Sequence, residues 1–453
     1  MKTPDMTRRT FLKTASIASA AISLPNILRA QKADQPTPAN RLNVACVGVG
    51  GRGYDAVQGM KEENLVAFCD VDDERAAKTY QEFPTVPHFR DFRVMLDKMG
   101  SQIDAVTVST PDHMHFPVAM AALALGKHVF VEKPLTHTVT ESRRLAAAAA
   151  SNPKLATQMG NQGHAGEGIR ILKEWIDGGV LGEVREVHSW TNRPIWPQGV
   201  QLPDHSKMMP VVQPTLDWDL WLGVAAAREY DPAYLPFAWR GFWDFGTGSL
   251  GDMACHIMDG AYWALGLTAP TVIEPISAHQ TAISAPTASV VRYHFPARGK
   301  MPELKWTWYD GGMTPVYPPE FEELTAQGLP HELPDNGTLL VGSKATVYCD
   351  TYYASLRIIP EAKMKEVAPN LPAKTLPRVV GGHFAEWIRA CKGGPAAGSN
   401  FAYSSRLTET ALLSNIAIRS RRRIEWDSAA MKVTNLASAN EFVTKHYRPG
   451  FGV

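Results

Sequence analysis

Three side chains in this sequence have the types and spacing to move a proton together. Asp252 and His256 stand four residues apart, and if Gly251 to Leu265 is helical they project onto one face, with Asp259 three residues further on near it. Lys133 falls in His128-Val129-Phe130-Val131-Glu132-Lys133-Pro134, where a short apolar run stopped by proline reads as a buried strand with a lysine at its carboxyl end. Histidine suits proton transfer near neutrality, and a lysine ammonium beside it would stabilise a developing alkoxide. Each group also has a plainer reading when taken alone: a solvated lysine, and a capping aspartate with a partly buried histidine. The chemical reading depends on what the rest of the chain places around them.

One such element is Gly48-Val49-Gly50-Gly51-Arg52-Gly53, which follows the apolar run Leu42 to Val47 and precedes a helix-like segment, Tyr54 to Met60. Glycines there permit a tight turn and let backbone N–H groups approach a pyrophosphate at a helix N-terminus. Leu65 to Asp70 reads as a second strand whose terminal acid, Asp70, lies at the spacing expected of a ribose acceptor. Its charge would repel a 2′-phosphate, which favours NAD over NADP, although Arg52 is close enough in sequence to oppose that preference. A third strand, Ile103 to Ser109, runs into the polar loop Thr110-Pro111-Asp112-His113-Met114-His115, where Thr110, His113 and His115 are candidate cofactor contacts, as is Glu132 before Lys133. With an alanine-rich helix over Leu135 to Ala150, this spacing across 42–158 predicts an α/β fold with a doubly wound parallel sheet.

The glycine loop, Glu132-Lys133-Pro134 and Asp252-Met253-Ala254-Cys255-His256 together resemble the Gfo/Idh/MocA oxidoreductases in order and spacing over most of residues 42–426. The resemblance implies an N-terminal Rossmann domain binding NAD(P), then an α+β domain with an open, mostly antiparallel sheet, acting on sugars, inositols or related polyols. It further implies that Lys133 contacts the reacting hydroxyl and the nicotinamide ribose, that His256 is the acid/base with Asp252 orienting or tuning it, and that Asn161 approaches the nicotinamide. Candidate substrate contacts are Lys133, Asp252, His256, His164, Arg193, Trp196 and Arg240, with Trp239, Trp243 and Asp244 at the rim. Eight of the twelve tryptophans lie between Trp175 and Trp263, and Trp196 is favoured as a stacking surface for a sugar because it sits in the proline-rich segment Arg193 to Pro214.

The N-terminus reads as an address. Thr7-Arg8-Arg9-Thr10-Phe11-Leu12-Lys13, the apolar stretch Ala15 to Leu28 and a cleavage point at Ala30 match a twin-arginine signal, which predicts recognition by that translocase and a periplasmic enzyme. The expected organisation is signal 1–30, linker 31–41, dinucleotide domain 42–160, substrate domain 161–426 and a C-terminal tail 427–453. In the second domain, strands are expected at Val184 to Asn192, Ser289 to His294, Lys305 to Trp308 and Thr338 to Tyr348, and helices at Glu167 to Asp177, Phe384 to Cys391 and Tyr403 to Ile418, the last two amphipathic.

A 45% hydrophobic, 20% charged composition is that of an ordinary globular protein, and no basic patch invites nucleic acid. Five cysteines without zinc-type spacing give no metal site and no disulfide framework. The main expectation is an NAD-dependent dehydrogenase that oxidises a sugar, glycoside or polyol, with the C3 hydroxyl of a glycoside as the expected position, and that assembles as a homo-oligomer. Two alternatives stand beside it: a redox-neutral NAD-dependent glycosidase, and a carbohydrate-binding protein with a vestigial nucleotide site.

Overall fold

The computed structural model describes residues 40–201, 210–316 and 333–452. The signal, nearly all of the linker and part of the Arg193 to Pro214 segment lie outside the described residues. The first domain contains strands β1 (Asn43–Val47), β2 (Asn64–Cys69), β3 (His88–Phe89), β4 (Ala105–Val108), β5 (His128–Glu132) and β6 (Thr157–Gly160). They form one parallel sheet in the order β3-β2-β1-β4-β5-β6. Its central strands are buried beyond their first residues, as a parallel sheet covered by helices on both faces requires. The order reverses between β1 and β4, so a crevice opens at the carboxyl ends of the strands.

Helices start where the sequence supplies caps. The Asp72 carboxylate accepts from the N–H groups of Glu74 and Arg75 at the head of Asp73–Glu82. Thr138 and Glu141 form a capping box that starts the helix at Val139–Ser151, four residues later than Leu135.

The second domain carries β7 (Val184–Thr191), β8 (Val272–Ala278), β9 (Ala288–Phe295), β10 (Leu304–Tyr309), β11 (Asn336–Gly342), β12 (Thr346–Cys349), β13 (Leu356–Ile359), β14 (Ile424–Asp427) and β15 (Lys432–Val433). The sheet order is β13-β12-β11-β7-β10-β9-β8-β14-β15, antiparallel except for the β7–β10 pair. The expected single strand Thr338 to Tyr348 is a hairpin, because Gly342 N–H donates back to the Ala345 carbonyl and turns the chain at Ser343-Lys344. The expected helix Gly251 to Leu265 is two, Gly248–Ile257 and Asp259–Ala264, so Asp252 and His256 share a helix that Asp259 does not.

Helix Phe401–Ser420 is buried along most of its length rather than on one stripe. It packs against β6 and helix Val139–Ser151 of the first domain as well as β8 and helix Gly248–Ile257 of the second. That shared packing sets the position of the second domain over the crevice.

Candidate active site

The crevice is a cleft of about 450 Å³ bordered by the glycine loop, the ends of β2, β4 and β5, and side chains of the second domain. At one end helix Arg52–Met60 begins at Gly51 with no side-chain cap; Gly53 and Tyr54 N–H donate back to the carbonyls of Gly50 and Gly51, and the dipole of the helix start favours an anion there. The glycines are sterically required. Gly48, at φ 75°, would put a Cβ 2.7 Å from the Ser109 carbonyl, Gly50 one 2.6 Å from the Arg75 carbonyl oxygen, and Gly53 one 1.9 Å from the Gly48 oxygen. Gly53 therefore shapes the turn without lining the cleft.

Asp70 does line it, and its carboxylate already accepts from the N–H groups of Val49 (2.9 Å), Gly50 (3.2 Å) and Asp72 (3.1 Å). Burial raises its pKa, and those three donors oppose the rise. Asp70 thus holds the glycine loop in shape as well as facing the nucleotide site. Arg52 is drawn away from it, pairing with Glu132 (3.0 Å) and Asp55 (3.0 Å). The opposition between Arg52 and Asp70 expected from sequence is thereby removed.

Dinucleotide binding can be tested on the side chains themselves. Ser109 Oγ, Thr110 Oγ1 and Gln162 Oε1 are buried and without a hydrogen-bond partner among the described residues, yet Ser109, Thr110 and Gln162 all border the cleft. Buried polar atoms are nearly always satisfied, so these fit the polar edges of a bound dinucleotide.

The reactive end is compact. Lys133 Nζ donates to Asp252 Oδ1 at 2.7 Å and to the Asp252 carbonyl at 2.8 Å, and Arg240 Nε stands 3.5 Å from the same carboxylate oxygen. Burial works against ionising Asp252, but Lys133 and then Arg240 outweigh it and hold the carboxyl below the usual range. Two of the three ammonium protons are thus committed to Asp252.

His256, one turn along the helix, is hydrogen-bonded not to Asp252 but to Asn161. Its Nδ1 lies 2.8 Å from Asn161 Oδ1, while Asn161 Nδ2 donates to the Cys255 carbonyl at 2.6 Å. The carbonyl can only accept, so Asn161 presents its oxygen to the ring and Nδ1 carries the proton. Nε2 is left as the basic nitrogen, with no hydrogen-bond partner among the described residues, on a ring that borders the cleft. Burial, then the Lys133 charge, hold this imidazole well below the ordinary histidine range, with Asp252 opposing them.

Several expected contacts sit elsewhere. Asn161 is fully buried behind His256 and does not border the cleft, so the orienting role expected of Asp252 falls to it. The His113 ring turns away from the cleft to bond the Trp221 carbonyl and pack on Phe245, and burial lowers its pKa to about 3. His115 lies at the cleft, but its ring nitrogens span the carbonyls of Thr110 (2.8 Å) and Pro134 (2.7 Å), tying the two strand ends together.

His164 is buried against Asp259 (2.9 Å), whose carboxylate also accepts from Tyr403. Arg193 bonds Asn192, Asp244 pairs with Arg228, and Trp243 packs in the core beside a second cleft. Trp196 is 5% exposed, its indole N–H donating to Gln198 and its ring closed over by Phe237 and Gly241, so it offers no stacking face. The open aromatic surface at the cleft is instead Phe237 and Tyr352, 43% and 40% exposed, while Trp221 and Trp239 reach it from the core. Asp112, Gln162 and Tyr352 went unread. Gln162 adjoins Asn161, but Tyr352 lies in the turn between β12 and β13, where nothing in the sequence marks it.

Residues 42–160 match the model of an oxidoreductase family with an NAD-binding Rossmann fold, and residues 168–297 match the C-terminal α/β domain model of the same family. Together these matches span more than half of the sequence. The chain belongs to the Gfo/Idh/MocA oxidoreductase family.

Relatives in the family point two ways. A glycosyl hydrolase family 109 protein of Shewanella sp. (strain ANA-3) is 30% identical over 204 residues, 39% of this chain and 44% of that protein. An inositol 2-dehydrogenase of Pseudomonas fluorescens is 32% identical over 152 residues, 32% of this chain and 45% of that protein. The chain therefore spans less than half the length of these curated relatives. Among solved structures, the WlbA dehydrogenase of Bordetella pertussis with NADH and UDP-GlcNAcA aligns at TM-score 0.58 and 16% identity, covering 85% of this chain and 99% of that one. Levoglucosan dehydrogenase with NADH and levoglucosan aligns at 0.54 and 15%, covering 85% and 99%. At those identities the likeness is one of fold.

Proposed function

We propose that this protein is an NAD-dependent oxidoreductase that oxidises a secondary hydroxyl of a sugar, glycoside or polyol. The observation that carries this reading is the pairing of an Nδ1-protonated His256, whose Nε2 faces the cleft, with a Lys133 ammonium that keeps one proton uncommitted. When bound, the nicotinamide of NAD accepts a hydride from the carbinol carbon. His256 Nε2 takes the hydroxyl proton, Lys133 stabilises the oxygen as its charge develops, and Asp252 fixes Lys133 in place. The exposed rings of Phe237 and Tyr352 suit the C–H faces of a carbohydrate ring. The C3 hydroxyl of a glycoside is the position to test first.

The test is His256→Ala. NAD affinity should stay near wild type while turnover on the best substrate of a sugar, glycoside and polyol panel falls by about two to four orders of magnitude. Unchanged turnover would refute the assignment.

The family 109 relatives favour a second reading on the same groups, in which hydride is returned after a glycosidic bond is broken, with no net oxidation. Glycosidic cleavage without accumulated NADH would distinguish it. We further propose export by the twin-arginine route, supported by Arg8-Arg9 and the apolar stretch behind them, and action in the periplasm on a small carbohydrate.

A further inference from the structure

We infer that the C-terminal segment Lys445–Phe451 is part of the dinucleotide site, with the Phe451 ring forming a wall of its adenine end. This rests on the NAD reading above. In this strand order the adenosine half of a dinucleotide lies over the β1–β3 side of the crevice and the nicotinamide half over the β4–β6 side, where Lys133 stands. Phe451 borders the cleft together with Arg90, Asp91 and Phe92, the residues that follow β3. It therefore belongs to the adenosine side, far along the chain from every motif that marks the nucleotide site in sequence.

Anchors along the whole segment fix the ring there. Lys445 Nζ donates to the His113 carbonyl (3.1 Å) and pairs with Glu141 (3.0 Å), which also accepts from the Tyr447 hydroxyl (2.5 Å). Arg448 donates to the carbonyls of Gly223 (3.0 Å) and Asp219 (2.8 Å). Arg93, in helix Phe92–Met99, donates to the Gly450 carbonyl at 2.6 Å. The ring itself is 8% exposed, with the Arg93 guanidinium 4.2 Å and the Arg448 guanidinium 4.6 Å from its centroid.

Most of these anchors are on the first domain, although the segment follows the second domain in sequence. A free tail would spend entropy to reach this position, whereas one fixed in advance presents an apolar wall to a flat base at little further cost. With guanidinium groups over the ring, Phe451 meets a base through its edge, the edge-to-face approach that aromatic pairs favour, and adds apolar surface to the wall.

The experiment measures NAD, ADP-ribose and nicotinamide mononucleotide binding by calorimetry to the full-length protein, to Phe451→Ala, and to a chain ended after Gly450. Wild type should bind all three. Both variants should bind NAD and ADP-ribose roughly ten-fold more weakly while nicotinamide mononucleotide is unaffected. Unfolding midpoints without ligand check that the variants fold, and Phe451→Tyr, which keeps the ring, should restore affinity. Unchanged NAD affinity in folded variants would overturn the inference, as would a parallel loss for the mononucleotide. A wild type that binds none of the three would instead overturn the cofactor reading on which it rests.

Discussion

Asn161 accepts from His256 Nδ1 at 2.8 Å and donates to the Cys255 carbonyl at 2.6 Å, so one buried amide fixes the imidazole tautomer from behind. A base oriented by an amide gains no charge from its support. Burial and the Lys133 charge then hold the His256 imidazole well below the ordinary histidine range, with Asp252 opposing them.

That relationship predicts a split between binding and chemistry. Asn161→Ala should leave NAD affinity near wild type and lower kcat by about ten- to a hundred-fold, the size of loss seen when the hydrogen-bond partner that orients a metal-bound histidine is removed. Calorimetry and steady-state kinetics on the same preparation check it.

A pH profile follows from the same geometry. His256 must be neutral to accept a proton, and its pKa lies well below 6.5, so the acid limb of kcat/KM should fall below the ordinary histidine range. Asn161→Asp would put a carboxylate against Nδ1, favour the imidazolium and move that limb to higher pH. A limb that stays in place would show that another group sets it.

Lys133→Ala should lower turnover by about two to four orders of magnitude, since the developing alkoxide loses its nearest cation in a partly buried site. The same change leaves Arg240 as the main cation beside Asp252, so its carboxyl should titrate at higher pH than in wild type. Kinetics and the pH dependence of the variant test both parts.

Asp70→Ala removes the acceptor of three backbone N–H groups in the glycine turn. It should weaken NAD binding and lower folding stability by about 2 kcal/mol, as expected when buried donors are left unmade. Chemical denaturation of the cofactor-free protein measures the stability loss separately from the nucleotide titration.

Periodic and local features were legible in the sequence, and long-range ones were not. The four inner strands of the parallel sheet and the glycine loop announced themselves because each is a contiguous run whose burial or turn depends on its own residues, whereas the two-residue β3 and the short polar β6 carry no such run. The meeting of Lys133 with the Asp252–His256 helix, 119 positions away, was expected only through the family resemblance that the two short motifs carry. Trp196 misled because a proline-rich segment implies exposure, whereas Phe237, more than forty positions away, covers the ring. Asn161 and Phe451 depend on tertiary placement alone, and the burial of helix Phe401–Ser420 on nearly all sides arises only because two domains meet there.

Export has its own test. Replacing Arg8 and Arg9 together by lysine should retain the protein in the cytoplasm, because the translocase reads the paired guanidinium groups. Fractionation of cells expressing each form measures it, and undiminished periplasmic recovery would exclude the route.

The central claim is hydride transfer from a carbohydrate carbon, and isotope transfer tests it most directly. A sugar, glycoside or polyol that turns over, deuterated at the reacting carbon, is mixed with NAD-loaded enzyme, quenched within a single turnover, and the nucleotide analysed by mass spectrometry. The account predicts deuterium on the nicotinamide ring for wild type and almost none for His256→Ala, whether the hydride is later released with NADH or returned to product. Substrate turned over by wild type with no deuterium reaching the nucleotide, when each carbinol carbon is labelled in turn, would contradict it.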